Sequence, residues 1–290
     1  DSSLQPSLRV LDELLSRLDG EKFDRIVNLS FSPLSSWITF DLEMRSFERG
    51  QTVAVAGYTR QVDGTFAIPD DASAFFFAQV GYRVQTGAIE AFNRLHLARL
   101  FATIAGVDPI EDDWHGPKAS GVSENSIALH IGASTEDKTL DSQAWAALAS
   151  QLALRTSKKI LLLGSKEENP KAQEILRRID PSRASRVISL VGETKVSELF
   201  EIVAKADLLI GGDSALVQIA SLTGTPVLNL SSRTVSHWET GPLSRGSRVL
   251  VYGGATPSSE TITEEALGML SGVREKSKAD RFVEGPIEDI

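Results

Sequence analysis

The sequence contains no cysteine. That excludes disulfides, thiolate metal ligands and cysteine nucleophiles, and it fits a reducing compartment. No apolar run approaches the ~18 residues that a membrane-spanning helix needs. The first residues, Asp1-Ser2-Ser3-Leu4, lack the basic and apolar regions of a secretory signal. Positive charge is in deficit: 30 Lys and Arg stand against 39 Asp and Glu, for a net charge of -9. Broad nucleic-acid binding is thereby disfavoured, while a local basic pocket for a phosphorylated ligand is not. Histidine is scarce and scattered, at His96, His115, His130 and His237, and His130, on a strand, reads as structural. No acidic pair or histidine cluster suggests metal ligation, so no metal site is expected. What remains is a chain of 290 residues, 41% hydrophobic. That suffices for two cores, since domains run about 100–200 residues. The expectation is a soluble, cytoplasmic protein with at most peripheral contact at the inner face of the cytoplasmic membrane.

The second half has the clearer pattern. Short apolar runs at 127–131, 160–163, 187–191, 208–210, 227–230 and 249–252 alternate with helical stripes. The stripes are Trp145, Leu148, Ala149 and Leu152; then Ala172, Ile175, Leu176 and Ile179; then Val196, Leu199, Phe200 and Val203. Strands alternating with amphipathic helices predict an α/β fold with a parallel, doubly wound sheet. The first half predicts a helix on Leu11, Leu14, Leu15 and Leu18, a strand at 25–29, a helix at 34–44, a strand at 52–56, and a helix striped by Leu97, Leu100, Phe101 and Ile104 that Gly106 closes. A stretch rich in Pro, Gly, Ser and acids follows at 108–125. The expected organisation is a first domain over 1–117, a linker at 118–125, a second domain over 126–275 and a loosely held charged tail over 276–290. Two or three strands are few for an open sheet. The first domain is therefore expected to lack a strand, loop and helix at its N-terminus, which a longer polypeptide, a complementary fragment or a partner chain would supply.

Three loops carry candidate chemistry. In ADLLIGGDSALVQIASLTGTPVLNL (206–230) a strand runs into Gly211 and Gly212, and Asp213 and Ser214 stand where a helix N-cap belongs. Exposed amides and a positive dipole end suit a phosphate there; the alternative is that Asp213 only caps the helix. In ALHIGASTEDKTL (128–140) a small hydroxyl-bearing loop with Ser134 and Thr135 precedes Lys138. Its amides, hydroxyls and point charge could hold an anion, or it is a plain loop with a solvated lysine. In LGSKEE (163–168) the acid Glu168 could accept ribose hydroxyls, or belong to a solvated acidic run. In a parallel sheet these three strand ends share one edge, and that coincidence favours a binding site.

The combination of these loops with SLVGETKVSELFEIVAKADLLIGGDSALVQIASLTGTPVLNL and Thr240-Gly241-Pro242 resembles the donor half of the ADP-heptose:lipopolysaccharide heptosyltransferases (glycosyltransferase family 9, GT-B fold). The resemblance is good over 127–242 and weaker over 11–108. It implies a GT-B-like pair of Rossmann-type domains. It also implies inverting, metal-independent transfer of heptose or a related sugar from a nucleotide diphosphate, ADP-heptose-like, to a lipopolysaccharide-core or other glycan or glycolipid acceptor. The nucleotide sugar would be a substrate, and no cofactor is implied. Carried over by position, the phosphate-binding loop falls on Ser134 and Thr135, its lysine on Lys138 and the nucleoside-contacting acid on Glu168. The Asp-Thr-Gly helix start falls on Asp213, Ser214 and Ala215, and the histidine five residues on falls on Gln218. The tryptophan two after the lysine is Leu140 here, and Gln218, at a position expected near the donor sugar, leaves the sugar open between heptose and a relative. The family's Gly-Asp loop, which carries its catalytic base, has no counterpart, so the base is unassigned and expected in the absent segment. If these residues suffice alone, Asp63, Asp70 and Asp71 are the acids to test. A non-catalytic nucleotide-sugar-binding or scaffold protein of the same fold is the rival reading.

Overall fold

A computed structural model describes residues 4–30, 32–86, 96–107, 124–133, 135, 138–233, 235–253, 255–272 and 282–284. The chain divides into two compact units, Asp1–Pro109 and Ile110–Ile290. The residues expected to link them, 118–125, lie mostly outside the described residues.

In the first unit α1 (Leu4–Leu18), β1 (Arg25–Asn28), α2 (Pro33–Glu48) and β2 (Ala54–Gly57) follow one another. Strands β1 and β2 pair in parallel, from Arg25 opposite Ala54 to Asn28 opposite Gly57. The predicted second strand thus begins two residues late and ends one late. Its last position is a glycine at φ +91°, a conformation that side chains disfavour. A hairpin of β3 (Thr59–Arg60) and β4 (Phe66–Ala67), then α3 (Asp71–Thr86), were not predicted. The last helix, α4 (Leu97–Ala105), ends on Gly106 in the left-handed region, as its sequence predicts. Ala56, Phe76, Leu100 and Ile104 form this unit's core. The α1 stripe is only half realised: Leu11, Leu15 and Leu18 are half-buried, and Leu14 is exposed. The acids named as substitute bases sit at structural positions. Asp70 accepts from the Gly57 and Ser73 amides (2.9 and 2.8 Å) and from Ser73 Oγ (2.7 Å), so it caps α3, and Asp71 begins that helix. Asp63 accepts from Thr65 in the hairpin turn.

In the second unit all six predicted strands form. They are β5 (Ser126–His130), β6 (Lys159–Leu163), β7 (Val187–Ser189), β8 (Leu208–Gly212), β9 (Val227–Ser232) and β10 (Arg248–Tyr252). A seventh, β11 (Phe282–Glu284), pairs in parallel with β10. It falls in the tail expected to be loosely held, which is a correction: three apolar and acidic residues show no period, and only the free edge of β10 gives them a partner. The order is β11-β10-β9-β8-β5-β6-β7, and every pair is parallel. The chain winds outward from β5 to β7, then returns to the other side of β5 to start β8. The junction of β5 and β8 is therefore the topological switch point, where diverging loops leave a crevice at the carboxyl ends.

Helices α5 (Ser142–Arg155), α6 (Asn169–Arg178) and α10 (Ser259–Leu270) cover one face, with α7 (Val196–Lys205) and α8 (Ala215–Thr223) on the other. A short α9 (His237–Thr240) precedes β10. On α5 the whole predicted stripe is buried, and Trp145, Leu148, Ala149 and Leu152 are at most 0% exposed. On α7 half of the predicted stripe holds. Leu199 and Val203 pack on the α8 side together with Ile202 and Ala206, while Val196 and Phe200 are 68% and 38% exposed. The face is chosen by contact with α8, which the local pattern does not encode.

Candidate functional site

The loops after β5, β6 and β8 leave the carboxyl edge around the switch point, and particular contacts tie them together. The carboxylate of Glu168 lies against two strand-end glycines. A Cβ on Gly132 would come within 2.6 Å of its Oε1, and one on Gly164 within 3.0 Å of its Oε2. The backbone amide of Ser165 donates to Oε2, so the acid is fixed by its own turn. The bare glycines leave room for it between β5 and β6.

Lys138 is placed by an equally close approach. A Cβ on Gly212, at the end of β8, would lie 2.6 Å from the Lys138 carbonyl oxygen. Only glycine lets β8 and this loop pack so tightly. The Lys138 amide donates to Thr135 O at 3.2 Å, closing the turn. The next residue, Thr139, anchors it. Its hydroxyl donates to Ile131 O (3.1 Å) and accepts from Trp145 Nε1 and Lys171 Nζ (both 3.2 Å). Among the described residues the Lys138 ammonium has no ion pair. Thr135 is exposed, and Ser134 lies outside the described residues.

Ser214 is the N-cap of α8, in extended backbone, and its side chain makes no capping bond. Its Oγ is buried with no protein partner. Asp213 does not cap either: its Oδ2 accepts from Thr240 Oγ1 at 3.0 Å. Gln218, one turn into α8, donates from Nε2 to Thr240 O at 2.6 Å. A carbonyl can only accept, so this bond fixes which end of the amide is nitrogen. Ala215 starts α8 and is exposed.

One face of the sheet edge holds further polar groups. Register puts His130, Gly211 and Asn229 side by side on β5, β8 and β9. Asn229 is 0% exposed, and neither amide atom has a protein partner; nor does His130 Nδ1. Buried polar atoms without partners are costly and uncommon, and here they sit in register across three neighbouring strands. Burial is the main cause that lowers the His130 pKa, to about 4, with Glu168 opposing and Lys171 assisting. The imidazole is therefore neutral at pH 7. An unfolded chain would titrate it near 6.5. As pH falls below 6.5 the unfolded state takes up a proton that the folded state refuses. The stability is intact above that pH and declines toward pH 4, by on the order of 3 kcal/mol in all. His130→Phe should flatten this acid limb in denaturant unfolding between pH 7 and 4; equal slopes for variant and wild type would contradict the assignment.

The structure thus brings Glu168 to the β5–β6 loops, Lys138 to the end of β8, and Asp213 and Gln218 together through Thr240. Sequence reasoning missed Thr139, Lys171 and Asn229. Adjacency to Lys138 and a place on the first turn of α6 were the available signals for the first two. An asparagine inside the apolar run Val227–Leu230 was the signal for the third. Among the described residues no group of three or more His, Asp or Glu could hold a metal ion, and no helix is long and apolar enough to cross a membrane.

Comparisons with known proteins agree with this architecture. The fold is similar to Escherichia coli heptosyltransferase WaaC, solved with ADP, at a TM-score of 0.61 and 12% identity, covering 91% of this chain and 78% of that one. It is also similar to a family 9 glycosyl transferase from Veillonella parvula, at a TM-score of 0.58 and 14% identity, covering 91% and 79%. E. coli ADP-heptose lps heptosyltransferase II is 25% identical over 52% of this chain and 48% of its own, with a TM-score of 0.47, so that match spans about half of either protein. No curated protein sequence matches. The family model described as glycosyltransferase family 9 (heptosyltransferase) matches residues 12–266. The α/β architecture, the switch-point loops and this match together place the chain in glycosyltransferase family 9, the heptosyltransferase family.

Proposed function

We propose that this protein transfers a sugar, heptose or a relative, from a nucleotide-diphosphate sugar to a lipopolysaccharide-core or other glycan acceptor, with inversion and without a metal. The observation that carries the reading is the convergence of three loops on the switch point, with Lys138 and Glu168 each set by the close approach of a strand-end glycine and the N-terminus of α8 beside them. Lys138, the α8 amides, Thr135 and Ser134 hold the diphosphate and stabilise the charge that grows on it as the glycosidic bond breaks. Glu168 accepts the ribose hydroxyls through the oxygen lone pairs not used by Ser165. Asp213 and Gln218 face the sugar. An acceptor hydroxyl attacks the anomeric carbon while a carboxylate takes its proton.

ADP is the first nucleotide to try, because the WaaC structure of the same fold was solved with it. Calorimetric titration with ADP and ADP-heptose tests binding, and a product assay on a lipopolysaccharide-core acceptor, with and without EDTA, tests transfer. Binding with product that EDTA does not suppress supports the reading. Binding with no product on any glycan acceptor favours a non-catalytic sugar-nucleotide-binding protein, a reading that the substitution of Gln218 for the family's histidine supports. No binding of either ligand overturns both.

A further inference from the structure

The hairpin of β3 and β4 is held on α2 by Arg60. Its guanidinium carbon lies 4.4 Å from the ring centre of Trp37, on α2, and 4.2 Å from that of Phe66, on β4. Aromatic faces attract a cation placed so. Arg60 Nε donates to Ser36 Oγ at 3.0 Å and Nη1 to Gly64 O at 2.6 Å. Gly64 turns the hairpin at φ +82° against the Trp37 indole, which a Cβ there would meet at 3.5 Å. Helix and hairpin are thereby fixed on each other. Between them they leave a cleft of about 500 Å³, whose lining includes Phe40, Glu43, Met44, Arg60, Val62 and Asp63. Small-molecule sites run about 300–1,000 Å³.

The polar groups of this cleft are only partly used by the protein. Among the described residues Glu43 makes no hydrogen bond or ion pair. Asp63 receives the amide and hydroxyl of Thr65 on Oδ1 alone. Of the five N–H groups that a guanidinium carries, Arg60 places two on protein acceptors, so three must find acceptors outside the protein. The apolar side chains of Phe40, Met44 and Val62 complete the wall.

We propose that this cleft binds a neutral sugar unit of a glycan chain. A hydroxyl both donates and accepts, so one hexose can give its protons to Glu43 and Asp63 and take N–H bonds from Arg60. The C–H face of its ring covers the apolar wall. An anion would meet two carboxylates against one guanidinium, and a cation would meet the guanidinium itself. Every lining residue lies in the first unit, so the assignment does not depend on the donor loops. Within the proposed transfer, the bound unit belongs to the glycan acceptor.

The test uses the full chain in saturation-transfer NMR. The probes are the methyl glycosides of glucose, galactose and mannose, with the uronic acid and 6-phosphate of each as charged controls. At least one neutral glycoside should bind, and more tightly than its charged forms. Glu43→Ala should weaken it about tenfold, as loss of a hydrogen bond to a charged group does. Val62→Trp, at a position 86% exposed and so without cost to folding, fills the cleft and should remove binding. ADP, whose proposed contacts all lie in the second unit, should bind both variants within ~2-fold of wild type. The proposal is overturned if no neutral glycoside binds, if a charged form binds more tightly than its neutral parent, or if either variant binds the glycoside as wild type does. Whether wild type binds ADP bears on the donor reading alone.

Discussion

Replacing Lys138 with alanine is expected to weaken ADP binding roughly 10- to 100-fold and adenosine binding hardly at all. The estimate follows from the ~1.5–3 kcal/mol of a hydrogen bond to a charged group. It requires that the ammonium meet phosphate, and the structure gives it the freedom to do so: the backbone is clamped on both sides, by Gly212 and by Thr139, and the side chain has no ion pair among the described residues. A loop fixed at its backbone with an uncommitted charge at its tip needs little ordering when the anion arrives. Glu168→Gln should show the reverse pattern, losing adenosine and ADP to a similar degree, since the lost contact lies in the nucleoside they share. Titration of both ligands against both variants separates the cases. Equal losses of adenosine and ADP in Lys138→Ala would remove that residue from the phosphate site.

The largest effect on stability should come from Trp145→Ala. The indole is 0% exposed in the main core of the second unit, among Ile127, Leu148 and Ile175. Truncating a buried tryptophan costs about 3–5 kcal/mol in transfer and cavity terms. The same ring reaches the site, because its Nε1 donates to Thr139 Oγ1, the residue that anchors the Lys138 loop. Trp145→Phe keeps most of the packing and loses that bond. It should destabilise far less in urea unfolding, yet still loosen ADP. If Trp145→Phe binds ADP as wild type does, the bond from core to loop is without consequence for the site.

Local sequence determined much of the second unit. The six apolar runs became its strands, because a strand buried on both faces must be apolar throughout and the turn residues around it mark its ends. The α5 stripe was equally legible, since a three- to four-residue repeat has one solution on a helix. The strand-end glycines and polar loops singled out Lys138, Glu168 and Asp213, and the family resemblance alone added Gln218. The first unit was harder to read. Strands of two residues, as in β3 and β4, are too short to show a period. The Asp71–Thr86 helix carries the run Ala74-Phe75-Phe76-Phe77, whose apolar residues are consecutive and so mark no single face.

Tertiary structure alone decided the rest. Contact with α8 decided that Leu199 and Val203 of the α7 stripe are covered while Val196 and Phe200 are not, and Phe282–Glu284 became a strand because β10 offered an edge. Thr240 acquired its two partners from residues 27 and 22 positions away. Glu168 came to rest on Gly132 across two neighbouring strands. Periodicity and turn chemistry are properties of neighbours along the chain, so a sequence displays them. A side-chain hydrogen bond or the close approach of a glycine depends on where distant segments cross, and that exists only once the sheet has been wound.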